Sequence, residues 1–75
     1  MRQLAPRIVV DETNRLGKPI IEGTRVPVEA VLGHLAAGMT VENIAREYEI
    51  VRDDVLACLA YAANAIAADQ IRAVS

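Results

Sequence analysis

From Val28 onward the apolar residues recur at helical spacing. Val28, Val31, Leu32, Leu35 and Ala36 fall on one stripe, which predicts a first helix from Pro27 to Ala37 with Pro27 in its first turn. Glu29 suits the positive end of that helix, and Gly38 follows it where a left-handed cap is wanted. Thr40 is a good N-cap for a second helix of about two turns, with Glu42 in its first turn and Val41, Ile44, Ala45 and Tyr48 facing inward. Arg52-Asp53-Asp54 then opens a third helix that runs at least to Ala68. Ahead of Pro27 the pattern is extended: Ile8-Val9-Val10 is brief and β-branched, residues 11–18 hold turn formers, and residues 19–26 form a second stretch broken at Gly23. A small hairpin or a pair of strand fragments is expected there.

The third helix carries two apolar stripes. Val55, Leu59, Ala62 and Ile66 make one, which can close the core against the two shorter helices; Leu56, Ala60, Ala63 and Ala67 make the other. Small residues at these intervals let a second helix approach closely. Both stripes could be internal, but two short helices cannot cover the third along its whole length. The second stripe is therefore expected at a dimer or partner interface, most simply in a homodimer.

At 75 residues the chain holds one domain, read as an extended or β segment over 1–27 packed on a trihelical body over 28–75. The fold class expected is mainly α, a homeodomain-like helix-turn-helix unit of three helices preceded by a short β segment. The apolar fraction is 53%, yet Trp and Phe are absent and Tyr48 and Tyr61 are the only aromatics, so an aliphatic, alanine-rich core is expected. Cys58 and His34 are each the sole residue of their kind, which excludes an intrachain disulfide and a zinc site built from these types alone. No cofactor or metal is expected. Apolar runs fall short of the roughly 20 residues of a membrane span, and no signal-peptide pattern opens the chain, so the reading is cytoplasmic and without membrane contact.

Charge is unevenly distributed. Net charge is −2, but the segment to Pro27 is basic, while the rest is acidic. A groove-reading helix wants Arg, Asn or Gln at its exposed N-terminal positions, and here two carboxylates stand there instead. DNA contact, if made, would fall to Arg7, Arg15, Lys18 and Arg25 of the head and to Arg46 of the second helix; the alternative is that such cations are solvated or paired with Asp11, Glu12 or Glu22. Enzyme chemistry finds no foothold. There is one His, one Cys, a single Ser at the C-terminus and no glycine-rich phosphate loop, and Asp53 and Asp54, adjacent on a helix, do not face one another.

The run Gly17-Lys18-Pro19-Ile20-Ile21-Glu22-Gly23-Thr24-Arg25-Val26-Pro27-Val28, with Leu35 to Gly38, Thr40 to Ile44, Tyr48, Asp53 to Val55 and Leu59 to Tyr61, resembles the bacterial domain-of-unknown-function 433 family over about residues 5–65. The resemblance implies a homeodomain-like helix-turn-helix fold and a VapB-like antitoxin paired with a PIN-like ribonuclease toxin; the function expected is such a non-enzymatic antitoxin, able also to repress its own operon, and the alternatives are a DNA-binding transcriptional regulator without a toxin or a purely dimeric assembly module. Under that implication the acidic set Glu42, Glu47, Glu49, Asp53 and Asp54 is the candidate toxin-facing surface, against the alternative of plain solvation. The chain departs from the family twice. Val51 stands where Ser or Thr usually caps the third helix, and Glu49 stands where Pro is common, which implies a less rigid second turn. Within the Gly-Thr-Arg run, Gly23 permits positive φ, Thr24 can bond the turn backbone, and Arg25 presents five donors to a phosphate or to a carboxylate such as Glu29.

Overall fold

A three-stranded antiparallel sheet leads into three helices. The computed structural model describes residues 1–13 and 17–74, with side chains as far as Asp69. Strands β1 (Arg2–Ala5), β2 (Ile8–Val10) and β3 (Ile20–Ile21) lie in the order β1-β2-β3, with Val9 paired to both Gln3 and Ile20. The β1 strand has no β-branched residue to announce it. Its turn is Pro6-Arg7, where the proline ring holds φ negative and Arg7 adopts φ 67°, the signs of a type II turn.

The second turn belongs to the Gly-Thr-Arg run, which forms the tip of a further hairpin. The Ile21 N–H donates to the Val26 carbonyl and the Val28 N–H to the Pro19 carbonyl, both at 3.0 Å, so residues 19–21 lie against 26–28. At the tip the Thr24 N–H donates to the Ile21 carbonyl, and Gly23 takes φ 79°, which a side chain would oppose. The Thr24 hydroxyl donates to the Ile21 carbonyl at 2.8 Å and accepts from the Val26 N–H at 3.0 Å, locking the tip from inside. Because Pro27 is bridged to Ile20 in this hairpin and has ψ 141°, it stands outside the helix: α1 spans Val28–Ala36 rather than beginning at Pro27.

Both helix–helix turns close by the same device. After α1, the Gly38 N–H donates to the Leu35 carbonyl and the Met39 N–H to the His34 carbonyl, with Gly38 at φ 100°, a Schellman cap. Helix α2 (Val41–Tyr48) starts on Thr40, whose hydroxyl accepts from the Asn43 N–H at 3.1 Å. It ends in the same motif, with Ile50 N–H to the Ala45 carbonyl and Glu49 N–H to the Arg46 carbonyl, but with Glu49 at φ 55° in the place of glycine. A less rigid turn was expected here for want of proline. Two hydrogen bonds close it, and a proline, fixed near φ −65°, could not occupy the position.

Helix α3 spans Arg52–Val74. Ile8, Ile21, Val28, Val31, Ile44, Ile50, Val55 and Cys58 form the buried cluster, which joins sheet and helices in one core. Among the described residues no alanine is fully buried, though Ala5, Ala45 and Ala57 pack against the core, so the core is mostly β-branched rather than alanine-rich. The expected inner stripe of α3 is also corrected. Val55 turns inward and Ala62 is half-buried, but the α3 residues that join Val55 in the core are Cys58, with Ala57 and Tyr61 packed against it, while Leu59 and Ile66 are 41% and 57% exposed. At 100° per residue the true seam lies a fraction of a turn away from the line the large aliphatics drew.

Candidate functional site

The basic positions proposed for DNA separate once their partners are seen. Arg7 donates to Asp54 at 2.9 Å and lies 3.7 Å from Asp53, so it clamps the β1–β2 turn to the start of α3 instead of facing a phosphate. Lys18 pairs with Glu29 at 2.6 Å, which also leaves Glu29 unavailable to Arg25. Arg15 lies outside the described residues. Arg46 donates to Asn43 at 3.3 Å, one turn back on α2. Arg25 is exposed and has no hydrogen-bond or ion-pair partner among the described residues. It lines a groove together with Lys18, Ile20, Gly23, Thr24 and Asp11. Asp11 keeps its carboxylate in that groove, held below the usual carboxylate range by the hydroxyl and then the backbone N–H of Thr13. The groove is therefore mixed in charge.

The acidic set is likewise divided. Glu42 pairs with Arg52 at 3.0 Å, bridging α2 and α3. Asp54 has only 14% of its side chain exposed and does two jobs: it accepts from Arg7 and, through its other oxygen, from the Val51 N–H at 3.2 Å. Asp54, named among the toxin-facing groups, thus accepts one hydrogen bond at each oxygen within the fold and keeps little exposed surface; Asp53 lies 3.7 Å from Arg7. Glu47 and Glu49 remain exposed at the end of α2 with no ion pair among the described residues.

Two contacts had no sequence signal. His34 Nε2 and Tyr48 Oη share a hydrogen bond at 2.8 Å across the α1–α2 seam, with ring centroids 5.6 Å apart. This places the one histidine against a tyrosine. Cys58 is fully buried, and burial, reinforced by the Asp54 charge, pushes its thiol up to about 11. Its thiolate is thereby disfavoured at neutral pH.

The outer face of α3 is different in kind. Leu56, Leu59 and Ile66 are exposed large hydrophobics, and Ala60, Ala63 and Ala67 are exposed between them. From Ala63 to Asp69 every side chain is exposed, so this stretch extends past the body that α1 and α2 cover. All four residues of the second stripe lie on this surface, with Leu59 and Ile66 added to it. Among the described residues no cluster suits a metal ion, and no helix is long and apolar enough to cross a membrane.

Comparison places the sequence in a known family: residues 8–62 match the one described as Protein of unknown function (DUF433), and the chain belongs to it. No curated protein and no solved structure matches.

Proposed function

We propose that this DUF433 member is a non-enzymatic, antitoxin-like binding module that dimerises through α3 and restrains a PIN-like ribonuclease. The observation that supports it best is the apolar face of α3, where Ile66 is 57% exposed within a stretch, residues 63–69, whose side chains are all exposed. A small domain that leaves such a face in water is built to be completed by protein, since contiguous exposed apolar surface marks interaction sites. With the copy on α3, the surface left for the nuclease is the end of α2, where Glu47 and Glu49 offer negative charge to a basic RNA-binding cleft. The test is a reconstituted assay in which this protein is titrated into a PIN-like ribonuclease cleaving RNA. Stoichiometric loss of RNA cleavage is expected, weakened by Glu47→Lys with Glu49→Lys. Undiminished cleavage at a tenfold excess of this protein overturns the reading.

A second reading, DNA-binding regulation, is supported by one residue. Arg25 is presented at a hydrogen-bonded hairpin tip without a partner among the described residues, as a phosphate contact would be. Arg25→Ala should then weaken duplex binding and its salt dependence without altering thermal stability. Loss of stability with duplex affinity intact rejects it.

A further inference from the structure

The turn between β1 and β2 is held in a conformation that its own residues disfavour. Arg7 stands at φ 67°, a left-handed backbone that costs any residue with a Cβ. The sense of the turn is also ill suited to its place. Two-residue hairpin loops favour the mirror-image turn types, whose twist matches that of the strands, whereas a type II turn splays them. The pairing of β1 with β2 slips between Gln3 and Ala5, directly before Pro6.

The contacts that hold Arg7 there reach elements distant from the turn. Its guanidinium donates to Asp54 at 2.9 Å and lies 3.7 Å from Asp53, both at the start of α3. Its carbonyl accepts the Glu22 N–H at 2.8 Å, one residue before Gly23 in the second hairpin. One residue thus joins the β1–β2 turn, the Gly-Thr-Arg hairpin and α3. Magnitudes decide how firmly it does so. The Arg7 side chain is 47% exposed, so its ion pair contributes an amount of the same order as the left-handed backbone costs, and the balance between them is close.

We infer that Arg7 is a two-state latch, in which turn type and ion pair switch together. Closed, the turn is type II and the guanidinium clasps the two carboxylates. Open, the Pro6–Arg7 peptide flips, Arg7 takes the negative φ of a type I turn, and its side chain swings away from Asp54. With that anchor gone, the Arg7 carbonyl is no longer held against the Glu22 N–H, and the hairpin loosens from the first turn. Salt screens an ion pair that is half in water, so ionic strength sets the position of the latch. Asp54 keeps the Val51 N–H through its other oxygen, so the start of α3 is capped in both states. What the latch controls is how the hairpin that carries Arg25 is held to the helical body.

Nuclear magnetic resonance of the full chain tests this at two residues. The HN–Hα coupling and Cα shift of Arg7 report its φ, and hydrogen exchange of the Glu22 amide reports its bond to the Arg7 carbonyl. In dilute buffer Arg7 should be left-handed and Glu22 protected, yet exchanging faster than Ile44 in the core, because the latch opens without the body. Asp54→Asn, which keeps an acceptor for Val51, and about 1 M NaCl should each shift Arg7 towards negative φ. Each should also speed Glu22 exchange about fivefold, the effect of losing one such ion pair. Arg7→Gly is the rescue: glycine adopts positive φ without the clasp, so Glu22 should stay protected at both salt concentrations. An Arg7 that remains left-handed both in Asp54→Asn and in salt overturns the latch. So does a Glu22 amide that exchanges only as fast as Ile44, since the hairpin then opens with the whole fold and not by itself.

Discussion

Val51→Thr should make the protein more stable, and the structure says by how much. At the start of α3, Asp54 sits three residues into the chain from Val51 and accepts the Val51 N–H at 3.2 Å, while the Asp54 N–H donates to the Val51 carbonyl at 3.0 Å. This is half of a capping box: the acid reaches back, but valine has no oxygen to reach forward to the first free N–H groups of the helix. Threonine has nearly the shape of valine, and Val51 is 55% exposed, so the new hydroxyl stays hydrated where it does not bond and little apolar burial is lost. A cap residue of this kind contributes about 1 kcal/mol. For a domain of this size that corresponds to a rise in Tm of about 4–8 °C. Thermal and urea unfolding followed by circular dichroism would measure it, at one fixed protein concentration so that any self-association cannot shift the midpoint. Val51→Ala is the control, lacking both the hydroxyl and the γ-carbons. If threonine is no more stable than the parent chain, the start of α3 is not limited by its cap and the half-box reading is wrong.

Glu49→Gly relieves a left-handed residue that costs about 1 kcal/mol, offset in part by glycine's freedom in the unfolded chain, so a gain of roughly 0.5 kcal/mol is expected in denaturant titration. Glu49→Pro should unfold the α2–α3 turn. A double-mutant cycle on Arg7→Ala and Asp54→Ala should give a coupling of about 1 kcal/mol, at the upper end for exposed ion pairs because Asp54 is largely covered; a coupling indistinguishable from zero would remove the clamp from the account. Cys58 should resist a thiol-specific reagent in the native protein at pH 8 and react at the rate of unfolding. Because its pKa is raised on folding, from 9.0 to about 11, its neutral form favours the native state below pH 9, and that contribution is lost as the pH climbs towards 11; Cys58→Ala should flatten this alkaline loss.

The helices were legible because each has a local cause. Thr40, Gly38 and the spacing of Val28, Val31, Ile44 and Tyr48 act within one or two turns, and the structure uses them as the pattern implies. Strand β1 was not legible, since Gln3 and Leu4 become strand only by pairing with Val9 and its neighbours. The inner face of α3 was misread for a related reason. In a helix rich in alanine nearly every direction is apolar, so residue size drew attention to Leu59 and Ile66, whereas the core selected the narrower β-branched and thiol side chains of Val55 and Cys58.

The charged residues show why surface chemistry is harder to read than fold. A list of basic and acidic positions treats each as available, but Arg7 with Asp54, Lys18 with Glu29 and Arg52 with Glu42 are pairings between elements distant in sequence. Once these are subtracted, the basic head and acidic body that looked like two opposed surfaces largely hold each other in place. Among the described residues, what survives on the outside is Glu22 and Arg25 at one hairpin tip, Arg46, Glu47 and Glu49 towards the end of α2, and the apolar side of α3. Exposed single charges contribute little affinity by themselves, whereas exposed apolar residues lose their solvation cost only when something covers them. The apolar side of α3, more than any exposed charge, is therefore the surface that gains most from being covered.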